Sequence, residues 1–323
     1  MSVYLVKSKS ALLIKVIVSL GLLVWVAGRL DTDALLAAIL RADPWIFLAA
    51  CGFVLVQYAI GTLRWYVLGR LTGASLSVWQ TIRLFMAAVF FNQVLPTSIG
   101  GDAVRAWLAS RQGIPLSRAA SSVVLDRSAG LISLLFLMLL TGALFADAMP
   151  NPTMATLVRV APVCIVIAIV IGLATAETTA RLFDRWRFTA PISIVLRDSG
   201  ALWRRGRGSA LVFAISFCIH FLNATSLWLI ARAIGLEIDY ITLVGFLPPV
   251  ILMMALPISI AGWGVREGVM VMLFTLLGQS GEAGLAASLL WGGALLAASV
   301  ACGAVWFVTR APNETLSMTE ETG

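Results

Sequence analysis

Long runs of apolar residues, separated by short polar segments, dominate the 323-residue chain. Residues 44–63, 84–101, 128–146, 160–176, 208–231, 240–265 and 283–309 contain no Asp, Glu, Lys or Arg, and residues 11–28 contain only Lys15. About 20 apolar residues are enough to cross roughly 30 Å of hydrocarbon as a helix. Helices are the expectation because an open sheet leaves backbone groups unsatisfied in lipid. The pattern predicts an all-α polytopic membrane protein with about eight apolar segments by hydropathy.

Composition sharpens this picture. Sixty per cent of the residues are hydrophobic and 12% are charged, against about 25% charged in soluble domains. The longest polar stretch, Glu177 to Arg207, is too short for a soluble catalytic domain. Activity is therefore expected from membrane-embedded groups. The segment after Lys7 and Lys9 reads as a retained anchor, because no small-x-small cleavage site follows it. Cys51, Cys164, Cys218 and Cys302 each fall within an apolar run without CxxC spacing, and read as packing residues.

Positive charge sets the topology. With Lys7, Lys9 and Lys15 inside, Arg64, Arg70 and Arg83 also fall inside. A single crossing over 84–101 would place Arg105, Arg111, Arg118 and Arg127 outside, together with the seven arginines of 181–207. A re-entrant hairpin over 84–113, turning near Pro96–Gly101, removes both conflicts. Residues 241–278 pose the same problem in mirror image, with Pro257, Gly262 and Gly264 between two short arms. The resulting scheme has about six full spans plus two re-entrant helical hairpins. Both termini are cytoplasmic, and 311–323 form a polar tail. Only Arg29, Arg41, Arg159 and Arg232 then lie outside, with Arg266 in the second hairpin.

An internal repeat supports the scheme. Residues 95–105 read LPTSIGGDAVR and residues 256–266 read LPISIAGWGVR, with seven of eleven positions identical at an offset of 161. Residues 1–310 therefore read as a single membrane domain of two repeats, about 11–146 and about 157–309. Three full crossings in each half would invert the second relative to the first. Inverted repeats with broken helices recur in membrane transporters.

Each motif carries candidate chemistry. Pro96 and Pro257 are hinge candidates. Gly100, Gly101, Gly262 and Gly264 permit tight backbone before a new helical arm. The N-terminus of that arm favours an anion, and Arg105 and Arg266 add forks suited to phosphate. Brought together by pseudo-symmetry, the two ends would make a headgroup site, with Asn92, Ser98 and Ser259 supplying neutral hydrogen bonds. Architecture is the competing reading: Asp102 can pair with Arg105, and Arg266 and Glu267 can pair with groups across the repeat. Asp102 and Glu267 could also relay protons. Asp126 and Arg127, placed at a helix opening, read as a cap or brace, or as part of the site. His220 with Asn223 reads as a packed polar pair. The basic, tryptophan-bearing 181–207 loop suits an anionic leaflet better than nucleic acid. The sequence implies no cofactor or metal, and carries no nucleotide-binding, HExxH or GxSxG motif.

At Phe91-Asn92-Gln93-Val94-Leu95-Pro96, Gly100-Gly101-Asp102 with Arg105, Leu125-Asp126-Arg127 with Gly130, and Leu256 through Gly268, the chain resembles the lysylphosphatidylglycerol synthase transmembrane, or flippase-like, family. The resemblance covers nearly the whole chain. It implies an inner-membrane domain that moves or presents lipids. Synthases of that family add a soluble aminoacyltransferase domain with no counterpart in this sequence, so only the flippase-like part carries over. The expected function is transport of an anionic, phosphate-bearing lipid or glycolipid, without enzymatic activity. The alternatives are a headgroup transferase using Asp102, Asp126 or Glu267 as base, and a non-transporting partner of a glycosyltransferase or lipid-modifying enzyme.

Overall fold

The structure is a computed structural model. It describes residues 30–95, 99–147, 149, 151–183, 190–204, 206–255 and 262–309, with isolated positions 21, 24 and 28. All regular elements among these residues are helices. In chain order they are α1 (Thr32–Leu40), α2 (Pro44–Thr72), α3 (Val78–Val94), α4 (Gly100–Ser110), α5 (Leu116–Asp147) and α6 (Pro152–Ala174). They continue as α7 (Ala176–Phe183), α8 (Ala190–Arg204), α9 (Arg207–Ala233), α10 (Tyr240–Ala255), α11 (Val265–Leu276) and α12 (Gly281–Thr309).

Local chemistry sets the ends. Asp43 caps α2 by accepting from the Trp45 and Ile46 N–H groups, with Pro44 in the first turn; Gly73 ends the helix in the left-handed region at φ 78°. Ser77 and Gln80 form a reciprocal capping box on α3. Among the described residues four helices are long and apolar enough to cross a membrane, α2, α5, α9 and α12; Val158–Ala174 within α6 and Tyr240–Ala255, which is α10, are shorter apolar stretches. The apolar run 11–28 lies outside the described residues except at 21, 24 and 28.

The boundaries differ from the hydropathy reading in an informative way. α2 continues nine residues past the predicted end at 63, and α5 begins twelve residues before the predicted start at 128. Hydropathy stops at Arg64 and at Arg127 because it treats charge as a boundary. In the structure those charges find partners inside the bundle, so the helices run through them.

The segment predicted as a hairpin over 84–113 is a pair of packed arms, α3 and α4. At the outer end of the pair, Gln80 Nε2 donates to Gln112 Oε1 at 3.0 Å, so α4 ends where α3 began. Arg118 at the start of α5 reaches the Thr72 carbonyl at the end of α2, at 3.4 Å, placing both at the same end of the bundle. α10 and α11 likewise pack on each other. They sit between the end of α9 and the start of α12. That opposite end is marked by Asp43 N–H donating to the Ala233 carbonyl (2.9 Å) and Asp31 N–H to Glu282 Oε1 (3.3 Å).

A shift of 161 residues carries α2, α3, α4 and α5 onto 205–233, 239–255, 261–271 and 277–308, close to the observed α9, α10, α11 and α12. The packing follows the same correspondence. α3 lies on α12 while α10 lies on α5, α2 touches α12 while α9 touches α5, and α2 and α9 form the main seam. That seam is antiparallel: the start of α2 meets the end of α9, and Leu71 near the end of α2 lies against Gly208 at the start of α9.

Lipid offers helices no hydrophobic driving force towards one another, so close packing of small residues has to supply it. Trp291, Trp306 and Phe274 fill the interior, and Phe90 of α3 sits in the space left by Gly303 of α12. At the arginine-rich end, Arg204 of α8 donates to Glu177 of α7 at 2.7 Å. This hydrogen bond holds the Glu177 carboxyl below its ordinary pKa.

Candidate functional site

The first hairpin owes its shape to Asn92 and Gly101. Asn92 Oδ1 accepts from the Gly101 N–H at 3.0 Å, satisfying one of the free donors at the start of α4, which has no side-chain cap at Ile99. A Cβ on Gly101 would collide with the Ala88 carbonyl and the Asn92 side chain, so α4 approaches α3 only because position 101 is glycine. Gly100 opens the helix. Ser98 and the hinge candidate Pro96 lie outside the described residues.

This seating turns Asp102 and Arg105 towards α5. Arg105 donates to Asp102 at 3.2 Å and to Asp126 at 3.1 Å. Asp126 also accepts from Arg64 Nε of α2 at 2.7 Å, and Asp102 accepts from Arg127 Nε at 2.6 Å. Arg64 continues to Ser216 of α9 at 3.1 Å. The Trp65 and Phe85 rings cover the Arg105 guanidinium, with centroids 4.7 and 5.2 Å from Cζ. One turn along, His220 of α9 meets the Ser133 hydroxyl (3.0 Å) and the Gly130 carbonyl (3.1 Å), while Asn223 donates to the Ile219 carbonyl of its own helix.

Asp126 does not open a helix. It is the eleventh residue of α5, its side chain is buried, and its oxygens serve two arginines instead of backbone N–H groups. The capping reading fails because the apolar run begins after Arg127 whereas the helix begins at Leu116.

The charge in this cluster does not balance. Three guanidiniums, Arg64, Arg105 and Arg127, face two carboxylates whose four oxygens are all engaged. Arg64 and Arg105 are buried; Arg127 keeps 57% of its side chain exposed. Among the described residues Arg127 is held through Nε alone, which leaves its two Nη groups without a partner there. Arg127 lies eleven residues along α5, about 16 Å from the helix start.

The corresponding place in the second half is built differently. Gly262 and Gly264 hold φ values of 83° and 87° immediately before α11. Glu267 Oε2 accepts from the Gly264 N–H at 2.6 Å, while Oε1 accepts from Arg266 Nη2 at 2.5 Å. Ser288 of α12 bridges the pair, accepting from Arg266 Nε at 3.1 Å and donating to Glu267 Oε1 at 3.2 Å. Trp263 covers the guanidinium at 4.4 Å, and the absent side chain of Gly292 leaves its seat. One cation meets one anion, with 2% and 0% of their side chains exposed. Among the described residues neither Arg266 nor Glu267 pairs across the repeat, a pairing the architectural reading of the sequence allowed. Ser259 and Pro257 lie outside the described residues.

Arg105 and Arg266 do not converge. Arg64, at the level of the first cluster, is eight residues from one end of the bundle, and Ser288 is seven residues from the other. With α2 and α12 each 29 residues long, the clusters stand about 20 Å apart along the axis. The structure thus brings Asp102, Arg105, Asp126 and Arg127 together and keeps Arg266 and Glu267 apart from them. From sequence alone Arg64 reads as a span-end charge, and nothing there marks Ser216, Ser288 or Gly292. The available clue for Arg64 was its place in a long apolar run beside Trp65.

No curated protein matches the chain. A family model described as the lysylphosphatidylglycerol synthase TM region matches residues 12–303, nearly the full length, and spans both hairpins and both charge clusters. The chain belongs to the lysylphosphatidylglycerol synthase TM region family.

Proposed function

We propose that this protein is a flippase-like transporter of the inner membrane. It moves or presents an anionic, phosphate-bearing lipid or glycolipid whose headgroup is met by Arg127 beside Asp102, Arg105 and Asp126. The observation that carries this reading is the surplus positive charge of the cluster, carried by one half-exposed guanidinium whose Nη groups are open among the described residues. Arg64 and Arg105 balance Asp126 and Asp102 in the interior, so the surplus charge rests on the half-exposed Arg127, and a phosphate oxyanion supplies its missing partner with the fork geometry arginine favours.

Topology fits the reading. The antiparallel α2–α9 seam and the 161-residue register support an inverted repeat. The α3–α4 and α10–α11 pairs act as re-entrant hairpins from opposite faces, with the arginine-rich end and both termini in the cytoplasm. The protein translocates its lipid without changing it covalently: Asp102, Asp126 and Glu267 all spend their oxygens on arginines or backbone, which suits none of them to act as base. A glycosyltransferase or other lipid-modifying enzyme is the expected supplier or consumer of the cargo.

The test is translocation of fluorescently labelled phospholipids and glycolipids in liposomes. Wild-type protein should move at least one phosphate-bearing lipid faster than empty vesicles, and Arg127→Gln should not. Equal movement by wild-type protein, Arg127→Gln and empty vesicles across such a panel would overturn the proposal.

A further inference from the structure

A second basic site lies at the arginine-rich end of the bundle, apart from the cluster around Arg127. Arg70, Leu71, Thr72 and Gly73 at the end of α2, Arg118 at the start of α5, and Asp198 and Ala201 of α8 line a cleft of about 300 Å³. Asp198 is fully engaged: Oδ1 accepts from Arg118 Nη1 at 3.1 Å and Oδ2 from the Ser121 hydroxyl at 2.7 Å. Arg118 uses that same Nη1 to reach the Thr72 carbonyl. Among the described residues its Nε and Nη2 remain unengaged, and 48% of its side chain is exposed. Arg70 is held in the same manner, with Nη1 donating to the Tyr66 hydroxyl at 3.2 Å and the guanidinium over the Tyr66 ring. Its Nε and Nη2 are also open among the described residues. Two guanidiniums are therefore each fixed by one nitrogen, and each leaves free the Nε–Nη2 edge that binds oxyanions in bidentate fashion. Against them stands one carboxylate that is already satisfied.

We infer that this cleft binds a phosphate-class anion between Arg70 and Arg118, independently of the site at Arg127. Nine residues separate Arg118 from Arg127 on α5, which is about 14 Å of rise and half a turn of rotation. The two arginines thus face opposite sides of the helix, and one ligand cannot touch both. At the end of the spans the phosphate can belong to a lipid headgroup of the adjoining leaflet or to a soluble phosphate compound.

The experiment uses full-length protein in phosphate-free maltoside micelles. Binding of inorganic pyrophosphate is followed by calorimetry, and retention of phosphatidylglycerol by native mass spectrometry. Arg70→Gln and Arg118→Gln should each weaken binding about tenfold, as expected for losing charge-assisted hydrogen bonds. Arg41→Gln, at the opposite end of the bundle, should bind as wild type. Arg118→Gln also frees Asp198, so Arg70→Gln carries the test, with an unchanged melting temperature as its folding control. Loss confined to phosphatidylglycerol assigns the site to a lipid headgroup. Loss confined to pyrophosphate assigns it to a soluble phosphate. Wild-type binding of both probes by Arg70→Gln, or equal weakening by Arg41→Gln, overturns the inference.

Discussion

The two halves of the molecule share helix order, register and an arginine after a glycine-rich turn, yet they treat that arginine in opposite ways. In the second half Arg266 is matched one-to-one by Glu267, bridged by Ser288, roofed by Trp263 and sealed from the surface. In the first half Arg105 belongs to a five-member cluster with a positive surplus that ends in a half-exposed arginine. The repeat supplies a scaffold on which one half closes its charge and the other leaves it available. A bilayer makes the difference meaningful, because a neutral sealed pair needs no ligand whereas an unbalanced one lacks a counter-charge.

The largest effect should come from opening the sealed pair. Glu267→Ala leaves Arg266 buried and uncompensated, and removes the acceptor for the Gly264 N–H. Loss of one partner of a buried pair costs roughly 3–5 kcal/mol, to be read as a shift in unfolding by sodium dodecyl sulfate in mixed micelles. Replacing both residues by apolar ones of similar size, Arg266→Met with Glu267→Leu, should recover most of that loss. If the double variant is no more stable than Glu267→Ala, the pair does more than brace its hairpin.

Asp126→Asn should come next. It removes the negative charge shared by Arg64 and Arg105 and so unties α2 from α5 and loosens α4, which among the described residues keeps only the Asp102–Arg127 ion pair to α5. About 3 kcal/mol is expected in the same unfolding measurement, and lipid movement should fall with it. Gly292→Ala should cost about 1–3 kcal/mol through overpacking, because its methyl group would enter the space of the Arg266 guanidinium. Lipid movement should survive where the folded fraction survives, since the change strikes the sealed half.

Much of this contrast was legible in the sequence, though unevenly. The eleven-residue repeat and the charge rule pointed to two broken segments, and the helices fall into the anticipated register. The Asp102–Arg105 contact followed from helical spacing. The hidden features are those that depend on which helix faces which. Arg64 looks like a span-end cation until α2 is seen to run eight residues beyond it, and Asp126 looks like a cap until α5 is seen to start at Leu116. Hydropathy cannot distinguish a charge that ends a helix from one neutralised by a neighbouring helix. Ser288 and Gly292 escaped for a related reason: neither is unusual in an apolar run, and only tertiary packing gives them Arg266 as a neighbour.

Arg127→Gln should have the smallest effect on stability and the sharpest effect on the comparison. Its guanidinium is more than half exposed and shares one hydrogen bond with Asp102, which Arg105 still neutralises after the change. An ion pair with so exposed a partner contributes about 0–1 kcal/mol, so the unfolding midpoint should barely move, while lipid translocation should fall to the level of empty vesicles. Arg127→Lys separates charge from geometry: a point charge without the fork should restore part of the movement if electrostatic attraction dominates, and none if bidentate capture does. A large drop in stability with translocation intact would make Arg127 a brace like Arg266, and the two halves would then differ in construction without differing in task.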